Sequence, residues 1–117
     1  MSFEFALEPL LPAFRLYIYP ERQLNALTYK KYLDQINEGL ASGVAEIVLD
    51  FTNVQGMDTY GLGMLVKGWK LSKAAGVGFK VCNVSHEAIA MILRVTNVEQ
   101  LVPIEYSSSL RDSRMSL

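Results

Sequence analysis

Few side chains here can do chemistry. The sequence holds one histidine, one cysteine and a nearly balanced set of 12 acidic and 11 basic residues. His86 follows Ser85, but a Ser–His–Asp triad would have to run through this imidazole. The pair opens a helix, where a solvent-facing role is expected. No GxSxG nucleophile elbow occurs. Cys82 falls in an apolar run and reads as a buried, inert thiol. One Cys and one His exclude an intramolecular disulfide, a Cys-based zinc site and a His-rich metal site. Gly61-Leu62-Gly63 is a GxG, yet it lies inside a helical pattern and lacks the third glycine of the dinucleotide fingerprint. A Walker loop is also missing. Lys67, Lys70 and Lys73 form a basic stripe whose usual meaning is a solvated helix face. No spacing marks a carboxylate pair, so neither catalytic residues, a metal nor a cofactor is expected.

The segment LDFTNVQGMDTYGLG, Leu49 to Gly63, carries most of the information. It reads as a buried strand, a tight loop and a helix opening at Asp58. An aspartate there accepts hydrogen bonds from the free N–H groups of the first turn and faces the positive end of the helix dipole. Thr59 and Tyr60 then present hydroxyls outward. Gly61 leaves a bare spot that another backbone or surface can approach. Thr59 or Tyr60 is expected to stay partly exposed, with Asn25 within reach across the loops.

The elements that hold this segment follow from periodicity. Phe3–Leu7 and Phe14–Tyr19 alternate apolar and polar residues around a two-proline turn and predict a hairpin. Thr28 is placed to cap a helix with Tyr29, Leu33, Ile36 and Leu40 on one stripe, stopped at Gly43. Glu46–Phe51 predicts a strand covered on both faces, and Thr52–Met57 a loop. Thr59–Ala75 predicts a helix burying Leu62, Leu65, Val66 and Trp69, ended by Gly76 and Gly78. Phe79–Val84 is a further strand. Ser85 is placed to cap a helix to about Val95, with Glu87 suiting its dipole. Leu101–Glu105 is a last strand. The tail, 107–117, reads as a short helix or a frayed end. Together they predict one α/β domain over 1–117, with a small mixed sheet of about four to five strands and about three to four flanking helices.

Length, an apolar half and a net charge of −1 fit one folded domain and exclude disorder. The near-neutral balance argues against direct nucleic-acid binding. No apolar run approaches the ~20 residues of a membrane span. MSFEFALEPLL has no basic n-region and so reads as no secretory signal. Lone Cys82 suits a reducing, cytoplasmic setting.

Strand, loop and helix start resemble the signature of STAS domains, the family of bacterial anti-sigma factor antagonists: LD, a short loop, then D-[ST]-[ST]-G-L-G. Val81-Cys82-Asn83-Val84-Ser85 is similar to the family's "vnvs" strand end. Ile92 to Leu101 is similar to its "vLeltgldelf" helix and turn. Arg22-Gln23-Leu24-Asn25-Ala26-Leu27-Thr28 is similar to its G-x-L-D-x-x-[TN] corner. The resemblance implies a STAS-like fold and a non-enzymatic module in transcription regulation. Its partner would be an anti-sigma factor with a serine-kinase fold, which phosphorylates a serine just before the Gly-Leu. Added charge of about −1.5 to −2 at such a docking face would switch binding off. This sequence departs there. Tyr60 occupies the serine position, and Asn25 aligns with the corner aspartate. Arg22 aligns with the corner glycine, and of the acidic pair Asp58 alone remains. Thr59 is a possible phosphoacceptor, one residue and so ~100° around the helix from the usual position.

The resemblance thus implies docking through Asp58, Thr59, Tyr60, Gly61 and Asn25. The alternative partner is an ATPase subunit, because STAS domains of lipid-transport ABC complexes carry a DTAGL motif close to Asp58–Leu62. A third role is a scaffold unit in a signalling assembly. The sequence leaves the oligomeric state open.

Overall fold

Glu46–Asp50 (EIVLD) forms β3, the inner strand on which the sheet is built. A computed structural model describes residues 14–108 and Leu110. In it β1 (Arg15–Ile18) and β5 (Gly78–Val84) flank β3, and β6 (Ile104–Tyr106) follows β5. All three pairings are parallel. Each is bridged by one helix: α1 (Tyr29–Ala41), α2 (Thr59–Ala74) and α3 (Glu87–Val95). The first strand of the expected hairpin, Phe3–Leu7, and tail residues 111–117 lie outside the described residues.

Three parallel crossovers stepping in one direction place all three helices on one side of the sheet, because such connections are right-handed. Register and burial agree. Leu16, Ile47 and Phe79 align across the strands, as do Ile18, Leu49 and Val81. These side chains share one core with Ile36, Leu65, Ile89 and Leu93 of the helices, and Leu110 joins it. The other face carries Tyr17, Val48 and Lys80 in register. Here Arg15 pairs with Glu46 at 2.9 Å and Lys80 with Glu105 at 3.2 Å. The expectation that β3 is covered on both faces therefore holds only at Val48. Glu46 and Asp50 remain half-buried.

The helices pack a face rotated from the expected one. α2 buries Gly61, Met64, Leu65, Gly68 and Ser72. Leu62, Val66 and Trp69 sit half-buried on its flank. The reason is Gly68: a Cβ there would lie 2.9 Å from Ile36 Cδ1 and 3.1 Å from the Phe79 ring. A missing side chain, rather than a large apolar one, sets the contact. α1 likewise buries Tyr32, Ile36 and Gly39, with Tyr29, Leu33 and Leu40 half-buried.

Capping differs too. Thr28 stands at the N-cap of α1, but its hydroxyl accepts from the Asn25 N–H and donates to the Gln23 carbonyl. Ser85 donates to the Asn83 carbonyl, so His86 takes the N-cap of α3 without a side-chain bond. Leu101 belongs to a turn after a 3₁₀ segment, Val98–Gln100, which moves the last strand to Ile104–Tyr106. The loop before α2 is partly a strand: β4 (Gly56–Met57) pairs in parallel with β2 (Gln23–Leu24). That two-residue ladder brings the corner before α1 to the start of α2.

Candidate functional site

Asp58 joins the two segments. Its Oδ1 accepts from the N–H groups of Tyr60 (2.9 Å) and Gly61 (3.1 Å), the expected N-cap. Its Oδ2 accepts from the Ala26 N–H, at 3.1 Å and 32 residues away in sequence. Its own N–H donates to the Leu24 carbonyl. The carboxylate therefore caps α2 and holds the corner loop with the same group.

Asn25 organises the other side of the junction. Its Oδ1 accepts from the Leu27 N–H at 2.9 Å, and its carbonyl accepts from the N–H groups of Thr28 and Tyr29 at the start of α1. An amide oxygen suffices for these bonds. Gly61 is buried, and the bare spot it leaves is filled by this chain: a Cβ would stand 2.3 Å from the Leu24 carbonyl oxygen. Asp58, Gly61 and Asn25 thus build the junction, while Thr59 and Tyr60 face outward.

Thr59 is exposed and Tyr60 is 54% exposed. The Tyr60 ring leans on Tyr29, with centroids 5.5 Å apart and planes tilted by 37°. Leu27, at the tip of the corner, is 93% exposed. Neither Tyr29 nor Leu27 is among the residues that the sequence marks as a site. The available signal was a leucine outside any periodic pattern, next to a cap. Two grooves run along α2 from Thr59. One, about 430 Å³, lies toward α1 and includes Tyr29, Lys30, Tyr60 and Lys67. The other, about 560 Å³, lies toward the end of α3 and is lined by Leu62, Val66, Lys70, Thr96 and Val98.

The other candidate groups stand apart. Asp50, at the end of β3, is half-buried. Burial pushes its carboxyl up, but bonds from the Thr52 hydroxyl and N–H and the Asn83 amide outweigh this and hold it below the usual carboxylate range. Cys82 aligns with Asp50 on the sheet face that also carries Val48 and Lys80, and is half-buried rather than in the core. Burial, then the negative charges of Asp50 and Glu105, push its thiol up, so it stays protonated and weakly nucleophilic. His86 is exposed. Lys67, Lys70 and Lys73 are exposed, with Lys73 Nζ 4.9 Å from the Trp69 ring centroid. Among the described residues no group of three His, Cys, Asp or Glu could hold a metal, and no helix is long and apolar enough to cross a membrane.

A family model, the STAS domain, matches residues 14–110. The chain belongs to the STAS domain family. The match takes in the corner, the junction and both grooves. Solved STAS structures share the fold. A Thermotoga maritima protein assigned as an anti-sigma factor antagonist superposes with TM-score 0.72 at 22% identity, covering 88% of each chain. SpoIIAA of Bacillus, an anti-sigma factor antagonist solved both without and with phosphate, gives TM-score 0.63 at 15% identity over 91% of each chain in its unphosphorylated form. A sulfate transporter family protein of Wolinella succinogenes gives 0.60 at 14% identity, over 81% of this chain and 79% of that one. No curated protein matches the sequence significantly.

Proposed function

We propose that this STAS domain is a non-enzymatic, cytoplasmic docking module of the anti-sigma factor antagonist kind. Its partner is a serine-kinase-fold anti-sigma factor, and it binds through the start of α2. The observation that carries this is the division of labour at the junction. Asp58 and Gly61 are taken up by bonds and packing within the chain, which leaves Thr59 and Tyr60 outside beside the exposed Leu27. A rigid, partly apolar projection at a helix start suits protein docking.

The switch at this surface is not serine phosphorylation. Tyr60 replaces the serine, and its phenol oxygen projects several ångströms further from the backbone. A kinase site that holds a short hydroxyl in line with a γ-phosphate does not also fit a phenol. Thr59 has the right chemistry but points ~100° away around the helix. Binding is therefore constitutive with respect to serine kinase activity. The second reading, docking to a transporter ATPase subunit, rests on the Asp58–Leu62 segment, which is similar to the DTAGL motif of lipid-transport ABC complexes.

The test is intact-mass analysis after incubation with a kinase-fold anti-sigma factor of the same genome and ATP, alongside Tyr60→Ser. The expected result is a complex with no added phosphate on the wild type and phosphate on Tyr60→Ser. Stoichiometric phosphate on the wild type overturns the constitutive reading. No complex with any such factor overturns the choice of partner.

A further inference from the structure

Gly63 is a helical glycine that packing among the described residues does not require. Beyond its own helix backbone, a Cβ there would meet no atom of the described residues within 4 Å, whereas at Gly61 and Gly68 it would collide. Its φ is not positive either, so no turn demands glycine. A glycine inside a helix weakens it relative to alanine. Gly63 lines both grooves beside α2, and the one toward the end of α3 has Leu62, Val66 and Val98 along its lining. Lys67 and Lys70 stand along the α2 wall. Arg15, Lys31 and Lys80 each meet a carboxylate within 4 Å, but Lys67 and Lys70 have none among the described residues.

An apolar floor, a place where a foreign backbone can come close, and uncompensated positive charge on one wall specify an occupant. Helices bind grooves by laying an apolar face on the floor, with charged residues at the edges choosing orientation. We infer that this groove receives an amphipathic α-helix of the partner protein, packed over Gly63 with acidic residues along the edge that meets Lys67 and Lys70. The inference rests on the docking reading above and adds the shape and charge of what docks. A nucleic acid would also answer the lysines, but its phosphates would leave the apolar floor uncovered.

The probe is a displayed library of helical peptides of about five turns, with leucines fixed on one face and edge positions randomised, selected on the full chain. Enrichment of Asp and Glu along one edge is expected. A soluble peptide from that selection should lose about tenfold or more in affinity to Gly63→Gln and to Lys67→Glu/Lys70→Glu, and should weaken as salt rises from about 0.05 to about 0.5 M. A lysine-edged peptide should regain binding to the charge-reversed protein. Gly63→Ala checks the fold and should raise Tm by about 4 °C. Neutral or basic edges, no enrichment, or binders indifferent to Gly63→Gln overturn the inference. The docking reading is separated by Tyr60→Ala against the kinase-fold factor. If that variant loses the complex while the Gly63 and lysine variants keep it, the docking module stands and the groove proposal falls. If Tyr60→Ala keeps the complex, docking through the helix start falls instead.

Discussion

Gly61 and Gly63 lie two residues apart on one helix and are chemically the same, yet they face opposite worlds. At Gly61 the missing Cβ is occupied by the Leu24 carbonyl of the neighbouring corner. At Gly63 no other element among the described residues reaches it. The inward side of the first turn is bound by the Asp58 carboxylate and the β2–β4 ladder. The outward side shows Thr59, half of Tyr60 and a groove edged by Lys67 and Lys70, which meet no carboxylate within 4 Å among the described residues. One turn of helix therefore serves both as a joint within the fold and as a surface turned away from it. Rigidity on the first side is what allows the second to present a fixed shape.

Substitution should break this contrast most at Gly61. Gly61→Ala places a methyl against a backbone oxygen that cannot rotate away, so α2 or the corner must shift. A loss on the order of 3 kcal/mol is expected by thermal or denaturant unfolding, as for severe overpacking. A variant as stable as the wild type would show that the junction is looser than described. Asp58→Ala comes next, because it removes a cap and a tie between distant segments together. The expected loss is about 1–2 kcal/mol, with faster hydrogen exchange at the Ala26, Tyr60 and Gly61 amides. Protection lost only at Tyr60 and Gly61 would mean that the bond to the corner contributes little. Gly63→Ala should do the reverse and stabilise the fold by up to about 1 kcal/mol. Destabilisation there would erase the distinction between the two glycines.

The smallest effect concerns Asp50, an aspartate at the strand end preceding the loop. Its carboxyl is held below its ordinary value in the folded state, so the charged form is favoured by folding. That stabilisation is fully present above pH ~4 and is lost as the pH falls through the folded-state value. Asp50→Asn should therefore flatten the acid limb of the stability–pH curve slightly and leave partner binding unchanged. An effect on binding would extend the docking surface to the strand ends.

Several features were legible because they depend on only a few neighbouring residues. The apolar stripes place α1, α2 and α3 within a residue or two, and the β-branched run of β3 marks the inner strand. Gly43 and Gly76 stop their helices with φ of 76° and 72°, which an L side chain resists. The N-cap role of Asp58 lies within one turn of its own donors, so its type and position were enough.

Other features belong to the tertiary structure because they join segments far apart in the chain. That Gln23–Leu24 and Gly56–Met57 are strands depends on their meeting each other, since two residues have no periodicity to read. The hydroxyls of Thr28 and Ser85 suited caps locally but found carbonyl partners in neighbouring turns. The buried face of α2 is centred on glycines because Ile36 and Phe79 arrive from other elements to fill the space. A pattern of large apolar residues cannot announce that. Sequence alone puts the bare spot open to another surface at Gly61. Only the return of the corner, carrying Leu24 to Gly61 and leaving Gly63 open, decides which holds the fold together and which faces outward.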